Sequence, residues 1–263
     1  MNVAPVIPLS GYGGWTFLKR TLPAQQATFE KAAPAQRDEA YFRERIGTVK
    51  TAEALVADPR LLRVALGAFG LEGDQNNRAF IRKVLEGGTL KAGSLANRLA
   101  DKQYLALSAA FGFGDFAVPR TQVSTFADGI IAKWKARRFE AAVGERNPDL
   151  RLAMNAQREL AALAARPGSD AARWFTIMGN PPLRTVFETA FGLPPSFGAL
   201  DLDRQLATLR TRAASALGSD SVAQFADAGQ VDRLLRRFLS RADTGPATGP
   251  AANALQLLRQ GRR

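Results

Sequence analysis

Asp201 and Asp203 form the tightest acidic pair in the second half of the chain, and paired carboxylates are the first place to look for acid–base chemistry. Their i,i+2 spacing points them to different sides of a helix, just where one would begin. Carboxylates there complement the helix macrodipole, which makes them structural. Asp101 and Asp227, each preceded by an apolar residue and alanine, read as N-caps on the same grounds. Among 263 residues there is no histidine and no cysteine. An imidazole base, a thiol nucleophile, a disulfide and a Cys/His zinc site are therefore excluded. No Walker A pattern occurs, and Gly11-Tyr12-Gly13-Gly14 neither follows a strand nor opens a clear helix, as a nucleotide loop must. The expectation is a protein that is not an enzyme, with no catalytic, cofactor-binding or metal-binding residues. An enzyme on a helical scaffold is a third reading, and it would need convergent carboxylates in a deep polar pocket.

Thirty-six basic residues against 24 acidic ones leave a formal charge of +12, which asks for an anionic partner. The run Lys133-Trp134-Lys135-Ala136-Arg137-Arg138-Phe139 mixes cations with aromatics, as nucleic-acid surfaces do. Arg233, Arg237 and Arg241 recur at i,i+4 beside Leu234, Leu235 and Phe238. Lys133, Arg137, Arg138, Arg233, Arg237 and Arg241 are thus the candidate anion contacts of a nucleic-acid-binding alternative. Against it, Val123, Phe126, Ile130 and Trp134 follow 3,4,4 spacing, which makes Trp134 a core residue and leaves the cations on a solvated face. Trp15, between Gly14 and Phe17, either docks back or anchors a partner.

Helical periodicity runs from about Ala24 onward, with no alternating β-branched stretch to compete. Asp58-Pro59, Asn147-Pro148 and Asn180-Pro181 are helix starts: the Asx side chain accepts free amides, and proline gives up a donor that lacks a partner there anyway. Ala68-Phe69-Gly70-Leu71, Ala110-Phe111-Gly112-Phe113 and Ala190-Phe191-Gly192-Leu193 are helix ends, with glycine in the left-handed position and an apolar residue folding back. Pro59, Leu61, Val64 and Ala68 to Leu71 match Pro181, Leu183, Val186 and Ala190 to Leu193 without a gap, and further matches follow in the same order. The pattern predicts an all-α fold of two tandem related units, an internal duplication, packed as one helical body. Residues 1–23 form a proline- and glycine-rich mobile arm, 24–114 the first unit, 123–242 the second, and 243–263 a mobile tail. Turn signals at 115–122 join the units. The tail has linker composition and a short amphipathic end carrying Leu255 and Leu258, which are candidate partner contacts together with Trp15. No basic n-region with an apolar h-region is present, so neither a secretory signal nor a membrane span is expected.

The segments Leu18 to Glu30, Tyr41 to Gly47, Asp58 to Leu71, Asn77 to Val84 and Ile177 to Leu193 resemble an uncharacterised alphaproteobacterial family of unknown function. Its members are described as flagellar because they accompany flagellar genes. The resemblance implies a cytoplasmic or flagellum-associated accessory role in assembly, export or regulation, with other proteins, flagellar components among them, as partners. It carries over no catalytic residue.

Overall fold

In the computed structural model, which describes residues 4–244, each of the three Asx-Pro steps opens a helix. Asp58 accepts the Arg60 and Leu61 amides at the start of α4 (Pro59–Gly67). Asn147 accepts the Leu150 amide at α9 (Pro148–Ala164), and Asn180 accepts that of Leu183 at α11 (Pro181–Phe191). The ends follow suit. The Leu71 amide reaches back to Leu66 O at 3.0 Å, and the Leu193 amide to Glu188 O at 2.9 Å, closing Schellman turns at Gly70 and Gly192. Helix α7 (Gln103–Phe111) stops at Gly112, whose φ of +69° is left-handed.

Thirteen α-helices and no strand occur among the described residues. The others are α1 (Gly11–Glu30), α2 (Ala33–Arg45), α3 (Ala52–Ala57), α5 (Arg78–Gly87), α6 (Leu95–Arg98), α8 (Phe126–Gly144), α10 (Asp170–Met178), α12 (Leu202–Leu217) and α13 (Ala228–Thr244). They divide into two compact units. The first comprises residues 4–6 and 21–143; the second comprises 7–20 and 144–244.

In the first unit α2, α3, α4, α5 and α7 enclose a core of Phe42, Leu55, Leu62, Leu66, Ile81 and Phe111. Helix α8 completes this core with Ile130, Ile131 and Trp134. The division therefore falls after α8, and not at the turn-rich 115–122 stretch, because the apolar face of α8 is buried on the preceding helices. Trp134 lies in the core as its spacing requires, whereas Val123, on the same stripe, is 53% exposed.

In the second unit α9, α11 and α13 pack mutually. The Phe187 ring meets Trp174, Phe191 and Phe225 edge-to-face, with centroids 5.4–5.6 Å apart. Such pairs add about 0.5–1.5 kcal/mol each beyond their buried area. The expected arm is part of this architecture. Helix α1 starts at Gly11 and runs through Pro23, and it buries Trp15 and Leu18. Burial of those two side chains outweighs the weak helix propensity of Gly13, Gly14 and Pro23. The tail residues Leu255 and Leu258 lie outside the described residues.

Candidate functional site

In the first unit, two loops display apolar side chains while being pinned by polar ones. Helix α5 ends at Gly88, in positive φ, and the chain then turns through Thr89, Leu90 and Lys91. Asp115 holds this turn: its carboxylate accepts the Thr89 amide at 2.6 Å, the Thr89 hydroxyl at 2.7 Å and the Leu90 amide at 3.0 Å. Burial opposes the charge on Asp115, but the hydrogen bonds from Leu90 and Thr89 outweigh it and hold the carboxyl below its usual range. From the other side, the Asn97 amide donates to Thr89 O and Lys91 O, both at 2.8 Å. Gly114 packs its backbone on that of Glu86 and Gly88, where a Cβ would collide.

The second loop, 113–119, is fixed at both ends. Asp115 secures one end. At the other, the Thr121 hydroxyl donates to Val49 O at 2.6 Å and the Gln122 amide to Gly47 O at 2.8 Å. What these clamps present to solvent is apolar: Leu90 is 72% exposed, Val118 70% and Phe116 43%. The Arg120 guanidinium lies over the Phe116 ring at 5.2 Å. Across residues 88–98 and 112–122 the charges are Lys91, Arg98 and Arg120 against Asp115 alone. Large apolar side chains on rigid, basic-rimmed loops are suited to docking an apolar surface with an acidic rim. Sequence reasoning took 115–122 for a joining segment. The available signal was a large apolar residue beside each Gly or Asp turn.

The residues singled out from sequence are spread over several environments. Trp15 is 2% exposed and is corrected from partner contact to core residue. Its ring lines a cavity of about 220 Å³ together with Lys19, Gln157, Phe225, Asp232 and Leu235. Asp232 fastens α1 to α13, accepting from Lys19 Nζ at 2.8 Å and from the Tyr12 hydroxyl at 2.7 Å. Those two bonds override desolvation and keep its carboxyl below the ordinary range.

Three of the basic candidates sit at helix ends. Lys133 Nζ lies 5.2 Å from the Phe69 ring, and the Arg137 guanidinium packs over Gly70 at the end of α4. Arg241 packs over Gly192 at the end of α11 in the same way. Cations there offset the negative pole of the helix dipole. Arg138 is half-buried and stacks on Trp134 at 4.8 Å and Phe29 at 5.3 Å; burial pulls its pKa down. Arg233 and Arg237 are exposed and make no hydrogen bond or ion pair among the described residues. Asp201 caps α12 by accepting the Arg204 amide at 2.9 Å, so it serves structure as its position suggested. No described helix is long and apolar enough to cross a membrane.

A family model described as a protein of unknown function, DUF1217, matches residues 68–231, a span that takes in the clamped loops and reaches into α13. The chain belongs to the DUF1217 family. This DUF1217 chain is also similar to an X-ray crystal structure of a protein from Agrobacterium tumefaciens. The two are 25% identical, with a TM-score of 0.75 over 93% of this chain and 100% of that one. No curated protein matches this DUF1217 chain.

Proposed function

We propose that this DUF1217 protein is a non-enzymatic accessory protein that works by binding other proteins, in association with the flagellum. The observation that carries the binding role is the exposure of Leu90, Phe116 and Val118 on loops held by Asp115, Asn97, Thr121 and Gln122. Pre-ordered loops lose little entropy on docking, so the apolar area they bury converts efficiently into affinity. The flagellar setting rests on the sequence resemblance. The occupant is a protein surface with apolar side chains and an acidic rim, complementary to Lys91, Arg98 and Arg120.

Burying the exposed parts of Leu90 and Val118 is worth about 2–4 kcal/mol, or roughly 30- to 700-fold in affinity. The test is a Leu90→Ser/Val118→Ser variant, tagged in its native cell, crosslinked, nuclease-treated and captured. The expected result is loss of the proteins recovered with the unchanged chain, at an unchanged melting temperature. Recovery of the same proteins by the variant refutes the reading. The same proposal takes the two units as copies of one duplicated module. The ungapped match of Pro59, Leu61, Val64 and Ala68 to Leu71 with Pro181, Leu183, Val186 and Ala190 to Leu193, followed by Leu99-Ala100-Asp101 against Phe225-Ala226-Asp227, supports it.

A second reading, a basic nucleic-acid-binding regulator, draws on the unengaged Arg233 and Arg237. Its mark would be sub-micromolar binding that survives roughly 150 mM salt, where purely electrostatic contacts dissolve.

A further inference from the structure

The second unit carries an open groove of about 720 Å³, lined by Leu193, Pro194, Pro195 and Phe238 and by the polar Asp149 and Arg241. Asp149 is the second residue of α9, and among the described residues it makes no hydrogen bond or ion pair. Burial raises its carboxyl pKa, and the nearby charge of Asp243 raises it further. Asp243 accepts the Ser10 hydroxyl at 2.8 Å, and among the described residues it too has no cation. An apolar groove with two uncompensated carboxylates at its edge suits an apolar segment that carries arginine.

The chain itself contains such a segment, attached beside the groove. The groove-lining residues Arg241 and Ala242 come just before Thr244, where α13 ends. Residues 245–263 contain Leu255, Leu257 and Leu258, followed by Arg259, Arg262 and Arg263, and no acidic residue. We infer that residues 255–263 dock into this groove of their own chain, with the leucines against Leu193, Pro195 and Phe238 and the arginines facing Asp149 and Asp243. Ten residues, 245–254, lie between Thr244 and Leu255, so eleven Cα steps join them. Extended, they reach about 36 Å, and a flexible tether of that length has its ends roughly 18 Å apart. A tether of that length gives an effective concentration on the order of millimolar, so a contact with a Kd of about 1 mM is already about half filled. The inference concerns the second unit and is independent of the binding surface proposed on the first.

The absence of cysteine makes the test direct. Thr189, which lines the groove, is paired with the tail as Thr189→Cys/Leu258→Cys. The control is Ser215→Cys/Leu258→Cys, with Ser215 on the exposed side of α12. Thr185→Cys/Leu258→Cys is a second groove pair in case the first fails to fold. Under mild oxidation of the purified chain, the groove pair is expected to close an intramolecular disulfide at least tenfold faster than the control. Adding Asp149→Lys is expected to slow it at least threefold. Equal rates for groove and control pairs overturn the inference, as do disulfide-linked dimers in place of closed monomers. Partner capture is not read in this experiment, so its outcome and that of the Leu90/Val118 test are separate.

Discussion

Replacing Asp115 by alanine removes the acceptor of three hydrogen bonds and leaves the Thr89 and Leu90 amides without a protein partner. Hydrogen bonds to charged groups contribute about 1.5–3 kcal/mol each. Because this turn is partly open to water, the lower end of that range applies. A loss of about 1.5 kcal/mol in local opening free energy corresponds to roughly tenfold. Amide hydrogen exchange at Thr89 and Leu90 is therefore expected to quicken by at least tenfold at pH 7, while α11 amides in the second unit keep their rates and serve as the internal reference. Asp115→Asn, which retains one oxygen acceptor, should fall between the two. The pH dependence has a fixed sign. The Asp115 carboxyl is held below its ordinary value, so its stabilising effect is complete above the ordinary carboxylate pKa, about 3.9, and is lost as the pH falls through the lower folded value. The gap between the unchanged chain and the alanine variant should accordingly close in strong acid. Unchanged exchange of Thr89 and Leu90 in the alanine variant at pH 7 would show that Asp115 does not hold this loop, and the pre-ordering argument for the binding surface would go with it.

Two further expectations concern stability. Trp15→Ala should cost about 3–5 kcal/mol in urea unfolding, as a buried tryptophan does; a cost near zero would return Trp15 to the surface. Gly192→Ala should cost about 1–2 kcal/mol for the left-handed backbone and more for displacing Arg241, whereas Gly218→Ala, whose added Cβ meets nothing, should show the backbone part alone. Equal losses at the two glycines in parallel urea titrations would rule out the Arg241 contact.

What was legible in the sequence is what is decided within one helical turn. Asp58, Asn147 and Asn180 cap helices with their own side chains, and Gly70, Gly112 and Gly192 end them with their own backbones. Both devices are local, and both appear where their residues stand. The misplacements share a different cause. Thr121 and Gln122 look like turn residues, but they bond carbonyls of Val49 and Gly47, more than 70 positions earlier. Trp15 sits among glycines and prolines, yet it is buried, beside a cavity that Phe225 and Leu235 also line, more than 200 positions later. The exposed Leu90, Phe116 and Val118 could not be told from core residues by periodicity, since short turns have none. Their role depends on which side of the loop the clamps leave open.

The second unit is discontinuous in sequence: its first segment is 7–20 and the rest begins at 144. Ribosomes therefore make Trp15 and Leu18 long before the helices that bury them. At about 5–20 residues per second, roughly 10–50 s pass between the emergence of Trp15 and the completion of α13. The first unit has every residue of its core once α8 is made, about midway through that interval, while Trp15 and Leu18 at the start of α1 still wait for the rest of their own unit. The nascent chain thus exposes, for tens of seconds, an indole and a leucine of the kind that holdase chaperones recognise, until the later segment of the second unit takes them out of reach.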